Sequence, residues 1–444
     1  MGRCAVSTQK QKRPFALRAL AAFAGTLAIL FVLLLAAYAL PGERVRQHVY
    51  DSARTIQNEG LYPEYLGFKL FQMDNYTDTL MLFEAASADE LPPLQAMMTN
   101  TAYNVDNFET LADDLAWYIE KDWSTGAQRT DAPTLEPFSY ARYWHGYLIW
   151  LRPLLLLMPY TGVRIVQYIV LFALLAVVLV QLRRRCGLRA AVWFAVSQLA
   201  VSVWFVPHQV QYFTCFMIAY AGCAWVLAKP RRSDVLCLGL LVLGTATAFC
   251  DLLVTPIITL GLPLTCWLLE PQQRLRGGVP QCALAVGGSL CWGTGYALCW
   301  AGKWALAGAV TNNNVLADAL HQAEVRTTAD TWHGMELTWR NIFGFLYDTL
   351  NGHHLFWPAL AVLAVLIVLF LLSIRSKTAL VRALPLALTT CMTPAWFVLL
   401  RTHSIQHGWF TWRALGLTVF AGLAFLYYAC DLRAARRRLQ KGSI

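Results

Sequence analysis

The chain has 444 residues, 57% of them hydrophobic and 14% charged, against about 25% charged in an ordinary soluble domain. With a mean hydropathy of +0.45 it is too apolar for a water-soluble core and for a disordered chain. The formal charge of +10 would suit nucleic acid only if spread evenly, and it is not.

Apolar runs, read at about 20 residues per crossing, predict an all-α polytopic membrane protein with about ten transmembrane helices. In chain order the expected spans are Ala19–Leu40, Arg164–Leu182, Ala190–Val206, Tyr212–Leu227 and Val235–Phe249. Leu252–Leu269, Cys282–Trp300, Phe356–Leu372, Ala383–Leu400 and Ala414–Ala429 follow. The chain then divides into a tail (1–18), a first span (19–40), a long loop (41–163) and spans two to seven (164–303). A second polar segment (304–355), spans eight to ten (356–429) and a basic tail (430–444) complete it. The first span reads as a retained helix, because Tyr38-Ala-Leu-Pro41 is a poor small-x-small cleavage site.

The long loop reads as mixed helix and coil, with an amphipathic stretch at Phe108–Glu120. His145–Met158 is apolar, too short to cross and broken by Pro153, so it is expected to be an interfacial or re-entrant helix. The second polar segment should hold short helices around Asn314–Ala323 and Met335–Tyr347.

Charge sets the expected sidedness. With the N-terminus inside, the cytoplasmic pieces hold 22 of the 36 Lys and Arg and 3 of the 26 acids, as the positive-inside rule requires. Both termini are therefore expected in the cytoplasm, and the basic run 433–441 reads as a stop cluster touching anionic lipid. The 12 cysteines avoid both long outer segments, which excludes a disulfide-stapled ectodomain, and no spacing suggests zinc. All nine histidines fall on the outer half, which points to proton chemistry on that face or to the greater length of the outer segments.

Four polar stretches are candidate sites. Asp74 and Asp78 are spaced to share a helix face; they could supply a general base, with or without a divalent cation, or be solvated aspartates with Asp74 as a helix cap. Arg142, His145 and Arg152 lie among aromatic residues in Tyr140–Pro153, as a phosphate clamp or as a snorkelling interfacial belt. Asp251 is the only acid in an apolar hairpin, either a site or a cap. Arg401–Arg413 packs His403, His407 and Arg413 beside two tryptophans, and Lys303 adds a cation just beyond span seven. Glycosyl transfer from a lipid-phosphate donor needs such parts: cations on the departing phosphate and a carboxylate to deprotonate the acceptor.

In layout, and in the stretches DNYTD, YARYWHGY, CDLLVTP and HSIQHGWFTWR, the chain resembles integral-membrane glycosyltransferases of the GT-C superfamily, in particular uncharacterised bacterial multi-pass members. It departs from them in that Asp74 lies far beyond the end of the first span. The resemblance implies transfer of a sugar from a polyprenyl-phosphate-linked donor to a glycan, lipid or protein acceptor. It implies cell-envelope glycan assembly at the outer face of a bacterial plasma membrane, with membrane lipids but no nucleic acid as partners. On that basis Asp74 or Asp78 is the base, and Arg142, His145, Arg152, His403 and Arg413 hold the donor phosphate. Asp251, Lys303 and His407 are further substrate-binding candidates, and Tyr143, Trp144 and Trp409 are expected to stack on sugar. No cofactor is required, although a divalent cation fits the scheme. A polysaccharide polymerase or ligase, and a transporter or flippase of lipid-linked substrates, are the competing readings. Transport is disfavoured because the spans carry few ionisable groups away from their ends.

Overall fold

The computed structural model describes residues 14–88, 90–103, 137–274, 276, 278–328, 331–332 and 335–431. The expected helix at Phe108–Glu120, His333 and most of the two tails lie outside them.

The chain is an integral membrane protein built almost wholly of helices. Its first helix, α1 (Phe15–Tyr38), is apolar on all sides and buries only Leu34, Ala37 and Tyr38 near its end. The loop after it folds as α2 (Glu43–Glu59), α3 (Asn75–Ser87), α4 (Pro93–Thr99) and an antiparallel strand pair, β1 (Thr101–Tyr103) with β2 (Pro137–Ser139). Next comes α5 (Leu148–Leu155), which covers the expected interfacial segment. It buries Leu148, Leu151, Arg152 and Leu155, and it packs against α1 and α2.

The bundle continues with α6 (Tyr160–Cys186), α7 (Leu188–Ala200), α8 (Val210–Ala228), α9 (Ser233–Cys250), α10 (Ile257–Leu269), the short α11 (Pro271–Arg274) and α12 (Gly278–Thr311). Then α13 (Val315–Thr328) extends beyond the stretch expected to be helical. Around Met335–Tyr347 the expected helix starts later: β4 (Met335–Glu336) pairs with β3 (Thr331–Trp332), a 3₁₀ turn covers Trp339–Phe343, and the α-helix begins only at Gly344. α14 (Gly344–Gly352), α15 (Phe356–Ser373), α16 (Lys377–Leu399), α17 (Arg401–Gln406), α18 (Gly408–Thr411) and α19 (Leu415–Ala429) follow.

Among the described residues, eight helices are long and apolar enough to cross a membrane: α1, α6, α8, α9, α12, α15, α16 and the stretch Gly408–Ala429. Two of the ten expected spans are shorter. Both α7 and α10 have 13 residues, about 20 Å at the helical rise, less than the ~30 Å hydrocarbon core. Ser202, in the left-handed region at φ 56, ends α7, and the chain runs on as a 3₁₀ turn at Val203–His208. The turn Asp251–Pro256 delays the start of α10.

Burial separates the centre from the periphery. Every residue of α10 is buried, and it touches α8, α9, α12, α16 and α19, as expected of a helix that is apolar all round at the middle of a bundle. By contrast α15 buries only Ser373 and leaves its apolar faces for lipid. One end of the bundle carries α3, the strand pair β1–β2, α17 and α18; the other carries Arg–acid contacts such as Arg18–Asp234 at 2.8 Å and Arg185–Glu270 at 2.7 Å.

Candidate functional site

At the loop-covered end, three of the four polar stretches converge. Trp144 stacks on Phe249 with ring centroids 4.7 Å apart, and the Gly146 N–H donates to the Phe249 carbonyl at 2.9 Å. A Cβ on residue 146 would fall on that ring and carbonyl, so glycine is needed for the close approach. His403 Nε2 lies 3.0 Å from the Leu253 carbonyl, which ties α17 to the same hairpin. Two residues here, His145 (φ 55) and Leu253 (φ 69), take the left-handed conformation without being glycine. That strain is of order 1–3 kcal/mol each and is characteristic of functional sites.

Beside this junction is a cavity of about 120 Å³, walled by Tyr143, Tyr296, Trp300 and Trp304 and also lined by Arg142 and Arg326. The Arg142 guanidinium lies over the Tyr140 ring at 4.6 Å and meets the half-exposed Asp318 at 3.3 Å. Its Nε is buried without a partner among the described residues. Arg326 comes from α13 and was not singled out in the sequence, where it is one arginine in a polar helix.

Asp251 is buried behind the cavity wall and accepts the Val254 N–H at 3.1 Å. Burial pushes its pKa up to about 6, against the Cys215 thiol and the backbone N–H groups of Val254, Leu253 and Leu252. Tyr296, which lines the cavity, lies within its electrostatic reach.

The His403 and His407 rings are tilted to each other at 56°, with centroids 4.7 Å apart. Burial, the neighbouring imidazole and the Arg326 charge hold His403 well below its ordinary value. Burial and then Arg326 take His407 down to about 3. Both rings are therefore neutral at physiological pH, so His403, expected to hold the donor phosphate, would do so as a neutral hydrogen-bonding group and not as a cation. His403 Nδ1, His407 Nδ1, Gln406 Nε2, Trp409 Nε1 and Trp412 Nε1 are buried without partners among the described residues. Buried polar groups are nearly always satisfied in folded proteins, so this cluster marks a place for water or a polar ligand.

The fourth stretch forms a separate network. Asp74 caps α3, accepting the Thr77 N–H at 3.0 Å and the Thr77 hydroxyl at 2.9 Å. Asp78 accepts the N–H groups of Val210 and Gln211, each at 3.2 Å, and so caps α8; it also takes the Tyr160 hydroxyl. Neither is solvated: Asp74 is 2% exposed and Asp78 fully buried. Burial raises both pKa values, Asp78 to about 7 despite the Tyr160 hydroxyl and the Gln211 N–H. Nearby, Arg164 grips Glu59 at 2.5 and 2.8 Å. Arg413 donates to the Trp409 carbonyl at 3.0 Å, reaches the Leu70 carbonyl at 3.4 Å and lies over Tyr212. It links this network to α18.

Three other candidate residues are bound within the protein. Arg152 donates to the Leu40 carbonyl at 2.9 Å and so caps the end of α1. Lys303 donates to the Met97 carbonyl and Asn100 Oδ1, each at 2.7 Å. His145 meets Glu84 at 2.7 Å, and Tyr147 donates to the same carboxylate. Glu84 was missed in the sequence, although a lone acid in the apolar run LMLFEAA was a signal for it.

The carboxylates of Asp74 and Asp78 face N–H and O–H donors, which does not suit a cation, and no group of three or more His, Cys, Asp or Glu is placed to hold one among the described residues. Comparison with protein-family models, with curated proteins and with solved structures gives one result. None matches.

Proposed function

We propose that this protein is a membrane transferase moving a sugar from a polyprenyl-phosphate-linked donor to an acceptor, at the face of the membrane where the long loop lies. That face is the outer one on the charge asymmetry of the sequence. The observation that carries the reading is the cavity walled by Tyr143, Tyr296, Trp300 and Trp304 with Arg142 and Arg326 in its lining. Aromatic walls suit a sugar or prenyl group, and paired guanidinium groups suit phosphate.

Asp251 is the base in this scheme, in place of Asp74 or Asp78. Its support is placement beside Leu253 and Tyr296, whereas the other two carboxylates hold helix starts. The acceptor oxygen bonds to the anomeric carbon as the bond from that carbon to the phosphate oxygen breaks. The acceptor proton passes to Asp251, and Arg142 and Arg326 offset the charge on the departing phosphate.

The test is release of polyprenyl phosphate by purified protein in nanodiscs, given a polyprenyl-phosphate-linked sugar and acceptor glycan. Arg142→Gln and Arg326→Gln should each lower donor affinity about tenfold, or about 1.4 kcal/mol. Donor binding that is indifferent to both substitutions would overturn the reading.

A further inference from the structure

A second cavity, of about 330 Å³, lies at the other end of the bundle. Its lining includes three arginines from separate segments: Arg274 at the end of α11, Arg375 in the link before α16, and Arg382 in the first turns of α16. The proposed transfer reaction makes no use of it.

Several features suit this cavity to an anion. Arg274 donates to the Tyr428 hydroxyl at 2.5 Å, and its Nε is buried without a partner among the described residues. Arg375 uses Nε on the Cys430 carbonyl, and the far edge of its guanidinium makes no hydrogen bond among the described residues. Ser376 and Thr378 also line the cavity. Ser376 caps the start of α16, a helix of 23 residues, through the Ala379 N–H at 3.1 Å, so the positive end of that helix faces the same space. Among the described residues no acid lines the cavity. The nearby Glu270 is taken by Arg185 and Gln272, each at 2.7 Å.

We propose that Arg274, Arg375 and Arg382 form a binding site for a phosphate-bearing anion. Planar guanidinium groups bind phosphate oxygens in pairs, and three of them around one pocket, with no acid in its described lining, leave a net positive site. Two sources present this group, a lipid headgroup and a free phosphate. A groove of about 530 Å³ adjoins the cavity through Arg375, lined by Leu366, Leu369, Phe370 and Leu426, with Asp431 at one side. An acyl chain fits that groove, so the lipid headgroup is the favoured source.

Two arms separate the sources. Native mass spectrometry of the whole protein, released from nanodiscs of phosphatidylglycerol and phosphatidylcholine, reads the lipid. Calorimetric titration with inorganic pyrophosphate reads the free anion. In the arm that binds, Arg274→Gln/Arg375→Gln/Arg382→Gln should reduce binding about tenfold or more, and raised salt should weaken it. Arg382 is exposed, so Arg382→Gln alone should weaken binding without lowering the melting temperature; this keeps the test valid if the triple variant misfolds. Selective retention of phosphatidylglycerol assigns the site to lipid, and pyrophosphate binding assigns it to a soluble anion. Absence of binding in both arms, or binding unchanged in Arg382→Gln, would refute the site.

Discussion

The carboxylate of Asp78 lies 3.2 Å from the backbone N–H of Gln211, across 133 residues of chain. A loop helix thereby holds the first turn of a membrane helix, since the Val210 N–H meets the same side chain. The first N–H groups of a helix have no partners within it, and α8 obtains two of them from α3.

Asp78→Ala would strand those two N–H groups, at about 1–3 kcal/mol for each group left buried and unpaired, and leave the Tyr160 hydroxyl only the His208 carbonyl at 3.4 Å. Asp78→Asn keeps an acceptor oxygen and should cost less. Melting temperatures in detergent should fall in the order wild type, Asn, Ala. Equal values for Asn and Ala would show that the cap is not what the side chain supplies.

Asp78 also predicts a pH dependence. Burial raises its folded pKa to about 7 from an ordinary 3.8, so the folded state holds a proton that the unfolded state releases. Its contribution to stability is fully present below the ordinary value and is lost as pH rises through about 7. The slope of stability against pH between 4 and 7 should flatten in Asp78→Asn.

Glu59 has the opposite sign. Burial raises its pKa, but hydrogen bonds from His208 and Arg164 outweigh this and lower it to about 2 from an ordinary 4.5. That stabilisation is present above the ordinary value and is lost as pH falls through about 2. Arg164→Ala should cost about 1–3 kcal/mol, less than a fully buried pair because a fifth of the Glu59 side chain is exposed. Acid unfolding of the variant should begin at higher pH.

Asp251 sets the expected pH profile of transfer. As the proposed base, with burial pushing its pKa up to about 6, it must be ionised to act, so the rate should rise with pH through about 6. Asp251→Asn should lower the rate about a hundredfold or more, within the range for general-base removal, while leaving donor affinity near wild type. A profile unchanged in Asp251→Asn would move the base elsewhere.

Lys303→Ala should loosen α4. Its ammonium group is buried and donates to the Met97 carbonyl and Asn100 Oδ1, so its loss strands acceptors at about 1–3 kcal/mol each. Hydrogen exchange over Pro93–Asn100 should rise, with little change at the arginine-rich end of the bundle.

The membrane character was legible because apolar runs state it directly: Phe15–Tyr38 and Phe356–Ser373 are almost without polar interruption. The shortness of α7 and α10 was not, since a left-handed Ser202 leaves no apolar break behind it. Three of the polar stretches, two marked by density of Arg, His and aromatic residues and one by a lone acid, meet in the structure, which their sequences did not state. Their division of roles was hidden, because a guanidinium reads alike in sequence whether it faces a ligand, as the unpaired Nε of Arg142 permits, or a helix end, as in Arg152. The same holds for Lys303, whose partners come from a segment about 200 residues earlier.

The helix α3 is fastened near both ends, by Asp78 to the start of α8 and by Glu84 to His145. Lifting this helix away from its neighbours would undo both anchorages at once. The segment therefore behaves as a fixed roof and not as a hatch, and any greasy substrate bound beneath it has to arrive sideways, from within the bilayer.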